Sequence, residues 1–380
     1  MKKICYITTI SLTLNTFVLE TAKYIHEHTD WDITFVCDND EEFAKKLPDY
    51  IHYHPIKMER GISIAGIKAM LEMKKFFKEQ KFDLIQYSTP NASLYASMAG
   101  KWAKVPVRLY CQWGMAFVGF KGLKRAIFKA VEKYVCSSST WVEPDSKSNL
   151  AFSHKEGLYP VNKGSVIWNG SACGVKLDKF VYENKNEWRD LIRKKHNIPE
   201  DAFVYGFVGR ITRDKGINEL LKASKRLFET NKNAYLLFVG PNEADATVDV
   251  ELVNWAKSES RVIFAGYTNV VEQYLSAMDV YILPSYREGF GMGVVEAEAM
   301  AVPVIVTNIP GPIDAMLKDK SGLVIEKQSD ELLQLAMEKM LQSDLDSMGQ
   351  NGLKFAREGF EQQEFFRRVL EDRKQLLGVE

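Results

Sequence analysis

Short apolar segments alternate with longer amphipathic segments along most of this 380-residue chain. In its first half, the segments with the composition of buried strands are KKICYIT, DITFVC (32–37), FDLIQYS (82–88), PVRLYC (106–111), TWVEP and SVIWNG (165–170). Helices are predicted between them, near 16–28, 63–80, 91–103 and 122–135. This alternation is typical of a parallel sheet whose strands are joined by helices that cover both faces.

The second half repeats the pattern. Its predicted strands are FVYGFVG (203–209), AYLLFVG (234–240), RVIFAG (261–266), DVYILPS (279–285) and PVIVTN (303–308), with helices near 215–230 and 247–258. Because a single core rarely grows beyond about 250–300 residues, we predict two doubly wound, Rossmann-like α/β domains that face each other across a cleft. Ligands of such sheets bind beyond the carboxyl ends of the strands, so residues that follow strands are the functional candidates.

The two halves differ in charge although the whole chain has a formal net charge of +0. Residues 1–180 hold 25 Lys and Arg against 18 Asp and Glu, a net of +7, and residues 181–380 have a net of −7. This favours two domains with different partners, and we expect no nucleic acid among them. The five scattered cysteines argue against a disulfide scaffold or zinc site and favour a reducing compartment. The N-terminus is too polar for a signal peptide, and no apolar run is long enough to span a membrane.

Three clusters of polar residues and glycines follow strands of the second half. GRITRDKG (209–216) places Arg210 and Lys215 at a strand-to-helix turn, where cations and free helix amides suit a diphosphate. GYT (266–268) lies where it can hold the edge of a base. PSYREGFGMGVVEAEAM (284–300) places Glu288 before a run of glycines, whose backbone can approach an anion closely.

Each cluster also has a simpler interpretation. A basic loop is commonly just solvated, and glutamates on the helix after the glycines commonly face solvent. We expect the Glu298 side chain to face solvent and the Glu296 side chain to point back toward the strand ends. Val294 breaks the G-x-G-x-x-G pattern, and no P-loop pattern occurs. D-x-D triplets occur at 30–32, 38–40 and 344–346, but only Asp38 follows a strand, so no catalytic metal is expected.

Taken together, the clusters resemble glycosyltransferase family 4. The resemblance rests on GR-x4-KG (209–216), PS-x2-EGFG (284–291), the Glu288-x7-Glu296 spacing, VPVIVTNIPGP and SGLVI, and it covers nearly the whole chain. Three other segments resemble the branch that builds capsular and other bacterial surface polysaccharides: NGSACGV (169–175), QWGMAFVGFKGLKRAIFKAVEK (112–133) and GPIDAM (311–316).

The resemblance implies the GT-B fold and a retaining transferase that forms an α-linkage from a UDP-sugar by same-face attack. It implies no cofactor and no metal, since the nucleotide-sugar is a substrate. Residues 1–175 would bind the acceptor and 176–361 the donor, and 362–380 would form a helix that returns to the first domain. Phe365, Phe366, Val369 and Leu370 give that helix an apolar stripe at helical spacing.

Roles for individual residues follow from the same resemblance. Glu288 would orient the donor sugar and Glu296 would bind the ribose hydroxyls. Arg210 and Lys215 would neutralise the diphosphate as it leaves, a form of electrostatic stabilisation. The remaining donor-binding candidates are Gly209, Tyr267, Gly289, Phe290 and Gly291.

Two positions depart from the family pattern. Many relatives carry a Gly-Gly pair in the loop after the first strand, whereas this chain has SLTL (11–14). Many carry a histidine where this chain has Gln112, and a glutamine side chain does not accept a proton at neutral pH. Gln112, Trp113 and Thr13 are candidates for contacting the acceptor or the sugar. The alternatives to a transferase are a GT-B sugar-nucleotide 2-epimerase and a non-catalytic partner subunit.

The segment KGLKRAIFKAVEKY (121–134) predicts a basic amphipathic helix. Leu123, Ile127, Val131 and Tyr134 form an apolar stripe, and most of the cations lie off it. One interpretation is that the stripe docks on the first sheet. The other, which the resemblance to enzymes that extend undecaprenyl-diphosphate-linked sugars favours, is attachment to an anionic membrane surface. We therefore expect a cytoplasmic, peripheral protein with a lipid-linked saccharide acceptor.

Overall fold

In the computed structural model, which describes residues 1–58 and 64–379, the chain folds as two compact α/β units. One unit contains Met1–Gly174 and Gln363–Glu380, and the other contains Val175–Gln362.

The first unit is built on six parallel strands in the order β3-β2-β1-β4-β5-β6. The strands are β1 (Lys3–Ile7), β2 (Asp32–Cys37), β3 (Ile51–Pro55), β4 (Leu84–Tyr87), β5 (Val107–Gln112) and β6 (Trp141–Pro144). The helices are α1 (Ser11–Phe17), α2 (Leu19–His28), α3 (Glu41–Ala44), α4 (Ile64–Gln80), α5 (Pro90–Ala103), α6 (Gly122–Ser138) and α7 (Lys147–Lys155). Alternate β1 side chains enter different buried clusters, Ile4 and Tyr6 one and Cys5 and Ile7 the other, so both faces of the sheet are covered.

The second unit has six parallel strands in the order β12-β11-β10-β7-β8-β9. They are β7 (Phe203–Val208), β8 (Ala234–Val239), β9 (Val262–Phe264), β10 (Val280–Leu283), β11 (Val304–Thr307) and β12 (Gly322–Ile325). Its helices are α8 (Lys185–Lys195), α9 (Ile217–Thr230), α10 (Ala244–Thr247), α11 (Val250–Ser258), α12 (Val271–Ser276), α13 (Met292–Ala299), α14 (Asp330–Met340) and α15 (Leu345–Phe360). The predicted doubly wound α/β class is confirmed.

The last helix, α16 (Gln362–Leu377), packs on the first unit. The ring of Phe366 lies 5.9 Å from that of Tyr24. The Arg373 guanidinium, which is 1% exposed, donates to both carboxylate oxygens of Glu143 and to Gln86. The C-terminal residues therefore belong physically to the N-terminal unit.

Several local predictions are wrong. A helix, not a loop, begins at Ser11, shortly after the first strand ends at Ile7. SVIWNG forms a turn rather than a strand, with Trp168 at φ 51 and the Gly170 amide donating to the Ile167 carbonyl. Strand β3 was not predicted, because it lies at the sheet edge and its two histidines dilute the apolar signal. Of the helix predicted near 63–80, residue 63 lies outside the described residues.

Candidate active site

The turn after β7 brings a lysine to the carboxyl end of the second sheet. Residues Arg213–Lys215 form one 3₁₀ turn, and Gly216 ends it with φ 74. A Cβ at Gly216 would lie 2.0 Å from the Pro284 carbonyl oxygen, so this position accepts no side chain. The GR-x4-KG loop is thereby packed directly against the backbone that precedes Glu288.

Lys215 and Glu288, predicted from separate motifs, are in contact. The Lys215 Nζ atom lies 2.6 Å from Glu288 Oε1, and the Ser285 hydroxyl donates to the same oxygen at 2.6 Å. The two side chains are 21% and 12% exposed, so this charge pair is shielded from most of the solvent while remaining accessible. A cation and a carboxylate are therefore held together beyond the ends of β7 and β10.

The loop that carries Glu288 is tied to the β7 turn by further bonds. The Tyr286 amide donates to the Asp214 carbonyl at 2.9 Å, and its hydroxyl lies 2.7 Å from both carboxylate oxygens of Glu219. Arg287 forms an ion pair with Asp214 at 3.4 Å. These contacts fix the register between the two segments, and sequence reasoning identified none of them. The one available signal was the position of Glu219 in the first turn of the helix after Gly216.

Glu296 lies on α13, which begins after Gly291 at φ 88. Burial raises the pKa of Glu296 to about 7, while Lys179 opposes the shift and Glu272 adds to it. The pKa of the Tyr281 hydroxyl is raised by burial and then by the charges of Glu288 and Glu296, so both carboxylates lie near this one phenol. The structure thus brings the two glutamates of the E-x7-E spacing to one place.

Lys179 and Glu272 were not identified from the sequence. Lys179 Nζ lies 3.5 Å from Glu272 Oε2, and the Glu272 side chain is almost fully buried. Each comes from a segment that carried no motif, so their position beside Glu296 became visible only in three dimensions.

Glu298 does not face solvent, and this prediction is wrong. Its side chain is 0% exposed and accepts a hydrogen bond from the Ser321 hydroxyl. Burial raises the pKa of Glu298 to about 8, although the bonds from Ser321 and from the Leu317 amide oppose the shift. The local sequence pattern does not reveal this burial, because α13 is covered on this side by α15, which is distant in sequence. A Cβ at Gly352 of α15 would lie 3.1 Å from the Glu298 side chain.

The other donor-site candidates have mixed positions. Arg210 is largely exposed and pairs with Glu243 at 3.3 Å rather than with the carboxylates above. Tyr267 is 71% exposed and donates to Asn269. Phe290 is buried against Phe360, so only its backbone is free to face a ligand.

The candidates in the first unit lie on β5 and α1. Gln112 is 0% exposed, with its amide nitrogen donating to Glu132 at 2.6 Å and its amide oxygen accepting from Ser153 at 2.8 Å. Direct contact between Gln112 and a sugar is therefore contradicted. Trp113 packs against Phe17 with ring centroids 5.6 Å apart, and Thr13 lies half-buried in the first helix.

Two further properties concern metals and membranes. Within the described part of the chain, no three His, Cys, Asp or Glu side chains are grouped in a way that would hold a metal ion. Among residues 1–58 and 64–379, no helix combines the length and apolar character needed to cross a bilayer.

Comparison with known proteins assigns the family. A model of group 1 glycosyl transferases matches residues 189–355, and a model of 4-like glycosyl transferases matches residues 3–145. The chain is 30% identical over 328 residues to the capsular polysaccharide biosynthesis glycosyltransferase CapM of Staphylococcus aureus, with 84% of each chain covered. The chain belongs to the group 1, family 4-like glycosyltransferases.

Other glycosyltransferases are similar over most of their length. A UDP-Gal:α-D-GlcNAc-diphosphoundecaprenol α-1,3-galactosyltransferase of Escherichia coli is 26% identical, with 78% of this chain and 76% of the relative covered. An N,N'-diacetylbacillosaminyl-diphospho-undecaprenol α-1,3-N-acetylgalactosaminyltransferase of Campylobacter jejuni is 27% identical, with 77% of each covered. Among solved structures, Anabaena HepE in complex with UDP has a TM-score of 0.78 at 16% identity, over 99% of this chain and 100% of that one. The glycosyltransferase has the GT-B fold.

Proposed function

We propose that this glycosyltransferase transfers a sugar from a UDP-sugar to a lipid-linked saccharide and forms an α-glycosidic bond in the synthesis of a bacterial surface polysaccharide. The reaction is retaining and needs no metal ion. The observation that carries the proposal is the contact between Lys215 and Glu288 at the carboxyl ends of β7 and β10.

The donor chemistry follows from the charges at this edge. Lys215 supplies a partly buried cation for a departing diphosphate, and such a charge is worth more there than in bulk water. Glu288 shares its oxygen with Lys215 and Ser285, which fixes the carboxylate where it orients the sugar. Glu296, on the same loop-helix segment, binds the ribose hydroxyls.

The acceptor class is supported by the relatives. The names of the Escherichia coli and Campylobacter jejuni enzymes both specify a saccharide on diphosphoundecaprenol, and both specify an α-1,3 bond. CapM is named for capsular polysaccharide. We extend the lipid-linked acceptor and the α-linkage to this chain, and the structure offers a surface that suits such a substrate.

That surface is the α6 patch, which we define as Leu123, Ile127, Phe128 and Tyr134. Leu123 is 79% exposed and Ile127 is 49% exposed, so this part of the predicted stripe does not dock on the first sheet. Lys121, Lys124 and Lys133 on the same helix are exposed. Exposed apolar side chains among cations are what an anionic membrane interface attracts, at about 1 kcal/mol for each cation near the surface. We propose that the protein binds the cytoplasmic face of the membrane peripherally through this patch.

The test is a transfer assay with a panel of UDP- and GDP-sugars and N-acetylglucosaminyl diphospholipid in EDTA. We expect one UDP-sugar to release UDP and to yield an α-linked product, with equal rates in EDTA and in Mg²⁺. Activity that is lost in EDTA and restored by Mg²⁺ or Mn²⁺ contradicts metal independence. Conversion of a UDP-sugar into its C2 epimer without a transferred sugar favours the 2-epimerase, and no reaction with any donor favours the non-catalytic subunit.

A further inference from the structure

A cleft opens between the start of α5 and the middle of α6, at the carboxyl end of β5. It has a volume of about 90 Å³. Because one water needs about 10–15 Å³, the cleft has room for several waters and therefore for a substituent of a sugar. Its floor is Tyr110, and its walls include Leu94, Ile127 and Val131. Ligands of doubly wound sheets bind at this edge. Ile127 and Phe128 of the α6 patch also line the cleft, but Tyr110 and Glu132 have been given no role above.

One carboxylate faces this apolar space. Glu132 lines the cleft, and its Oε1 atom accepts from the Tyr110 hydroxyl at 2.9 Å and from the Gln112 amide at 2.6 Å. The Ser153 hydroxyl donates to the Gln112 oxygen, which fixes the amide with its nitrogen toward Glu132. Both bonds reach the same oxygen. In the described part of the chain, Glu132 Oε2 accepts no hydrogen bond.

The free oxygen decides which group suits the cleft. Burial raises the pKa of Glu132, whereas the bonds from Gln112 and Tyr110 oppose that shift by stabilising the carboxylate. An isoprenoid chain would contact the apolar walls but would leave Glu132 Oε2 without a hydrogen-bond donor, which is unfavourable for a desolvated carboxylate. A sugar hydroxyl supplies a donor but leaves the apolar walls in contact with water. An acetamido group supplies both an N–H donor and a methyl group.

We propose that this cleft binds the acetamido group of the acceptor's sugar, with its N–H donated to Glu132 Oε2 and its methyl group packed against Leu94 and Ile127. This assignment rests on the proposed lipid-linked acceptor. It narrows that acceptor to saccharides that carry an N-acetylated sugar, and it assigns the recognition to the first unit.

The test measures binding by titration calorimetry, without a donor. The probes are N-acetylglucosaminyl diphosphate and glucosyl diphosphate, each on the same geranyl chain. One charge-assisted hydrogen bond and a methyl contact should make the first probe bind about tenfold or more tightly to the wild type. Equal affinities overturn the proposal. The proposal is also overturned if the affinity increases with the length of the isoprenoid chain and does not depend on the acetamido group, because the cleft would then bind the isoprenoid chain.

Two variants test the individual contacts. Glu132→Gln keeps the shape of the side chain but replaces the free oxygen with an N–H donor. It should therefore weaken binding of the acetamido probe about tenfold. The glucosyl hydroxyl can accept as well as donate, so its binding should change by less than about twofold. Equal losses for both probes would show a merely structural role and overturn the assignment.

Ile127→Ala gives a second readout that does not depend on the buried carboxylate. This variant should weaken binding of the acetamido probe about threefold, because a contact with the methyl group is lost. Its affinity for the glucosyl probe should not change. Ile67→Ala, at an exposed isoleucine of α4 outside the cleft, is the matched control and should change the affinity of neither probe. The assignment fails if Ile127→Ala and Ile67→Ala behave alike. Failure of the proposed function is separate, since it appears as no transfer from any nucleotide-sugar.

Discussion

Three glutamates that lie within eleven residues of sequence occupy three different environments. Glu288 is paired with Lys215, Glu296 lies at the strand ends beside Lys179 and Glu272, and Glu298 is sealed in the core. Because the charge of a carboxylate depends on what surrounds it, the same residue type serves different purposes here. Each purpose gives a different response to substitution.

Glu288 and Glu296 are expected to differ in kinetics. Glu288→Gln should lower kcat about 100-fold with little change in donor KM, because it removes an interaction of the transition state. Glu296→Gln should raise donor KM about tenfold with kcat nearly unchanged, because it removes uniform binding. Initial rates over a range of donor concentrations measure both. A kcat effect at Glu296 that matches the one at Glu288 would contradict these roles.

The donor KM of the wild type should also depend on pH. Since the pKa of Glu296 is raised to about 7, its carboxylate form, which accepts from the ribose hydroxyls, grows as pH rises through that value. Donor KM should therefore fall between about pH 6 and 8. Lys179 and Glu272 flank this group and are unchanged in the control Glu296→Gln, which should show a flat profile. A profile that persists in the variant would assign the titration to another group.

Glu298 should act on stability rather than on turnover. Its pKa is raised to about 8, so between about pH 4.5 and 8 the folded state holds a proton that the unfolded state has lost. The free energy of unfolding should therefore fall with rising pH in this window, by at most about 1.4 kcal/mol per unit from this group. Urea titrations at several pH values should show that the free energy of unfolding falls less steeply with pH for Glu298→Gln than for the wild type. Equal slopes would mean that Glu298 is ionised in the core.

At the scale of elements, α16 and α6 differ in how the sequence reveals them. The apolar stripe of α16 was visible in the sequence, and the helix packs by that stripe on the first unit. The stripe of α6 was equally visible, yet most of it is exposed. Periodicity shows that a helix has an apolar face but does not show what covers it. That information lies in the partners, such as Glu156, which binds Arg125 and Lys129 of α6.

The Arg373–Glu143 pair should be a major contact of α16. Arg373→Met leaves a buried carboxylate without its cation, which typically costs about 3–5 kcal/mol. Urea unfolding should show a loss of this order, and adding Glu143→Gln should restore part of it. Arg367→Met on the same helix is the control, since its side chain is 45% exposed and its pairs lie at the surface. Equal losses at the two arginines would contradict the buried role of Arg373.

The α6 patch should attach the protein to anionic vesicles. Arg125 and Lys129 are engaged by Glu156, so the informative variant replaces Lys121, Lys124 and Lys133 with Glu. It should lose co-sedimentation, whereas the control Lys222→Glu/Lys225→Glu/Lys232→Glu, with the same change in net charge, should retain it. Binding of the wild type to the vesicles should weaken strongly by about 0.5 M salt, because the Debye length becomes shorter. Equal sedimentation of both variants would leave α6 without a membrane role.

At the scale of the whole molecule, the doubly wound units could be predicted, and so could the position of Lys215 and Glu288 after strands of the second unit, although their contact with each other was not. They depend on strand–helix alternation and on the rule that functional residues follow strands. The buried states of Gln112 and Glu298 could not, because each is set by residues distant in sequence, Glu132 and Ser153 for one and Ser321 for the other. Polar residues that are buried by long-range partners are the part of the site that local patterns miss.

The central claim is that a nucleotide diphosphate binds at the carboxyl ends of the second sheet beside Lys215. Its most direct test is calorimetric titration of UDP into the wild type, into Lys215→Met and into the control Lys257→Met, whose lysine pairs with Asp245 at the surface. We predict that the wild type and the control bind UDP equally and that Lys215→Met binds it at least about tenfold more weakly. Undetectable UDP binding to the wild type, or unchanged binding to Lys215→Met, would contradict the claim.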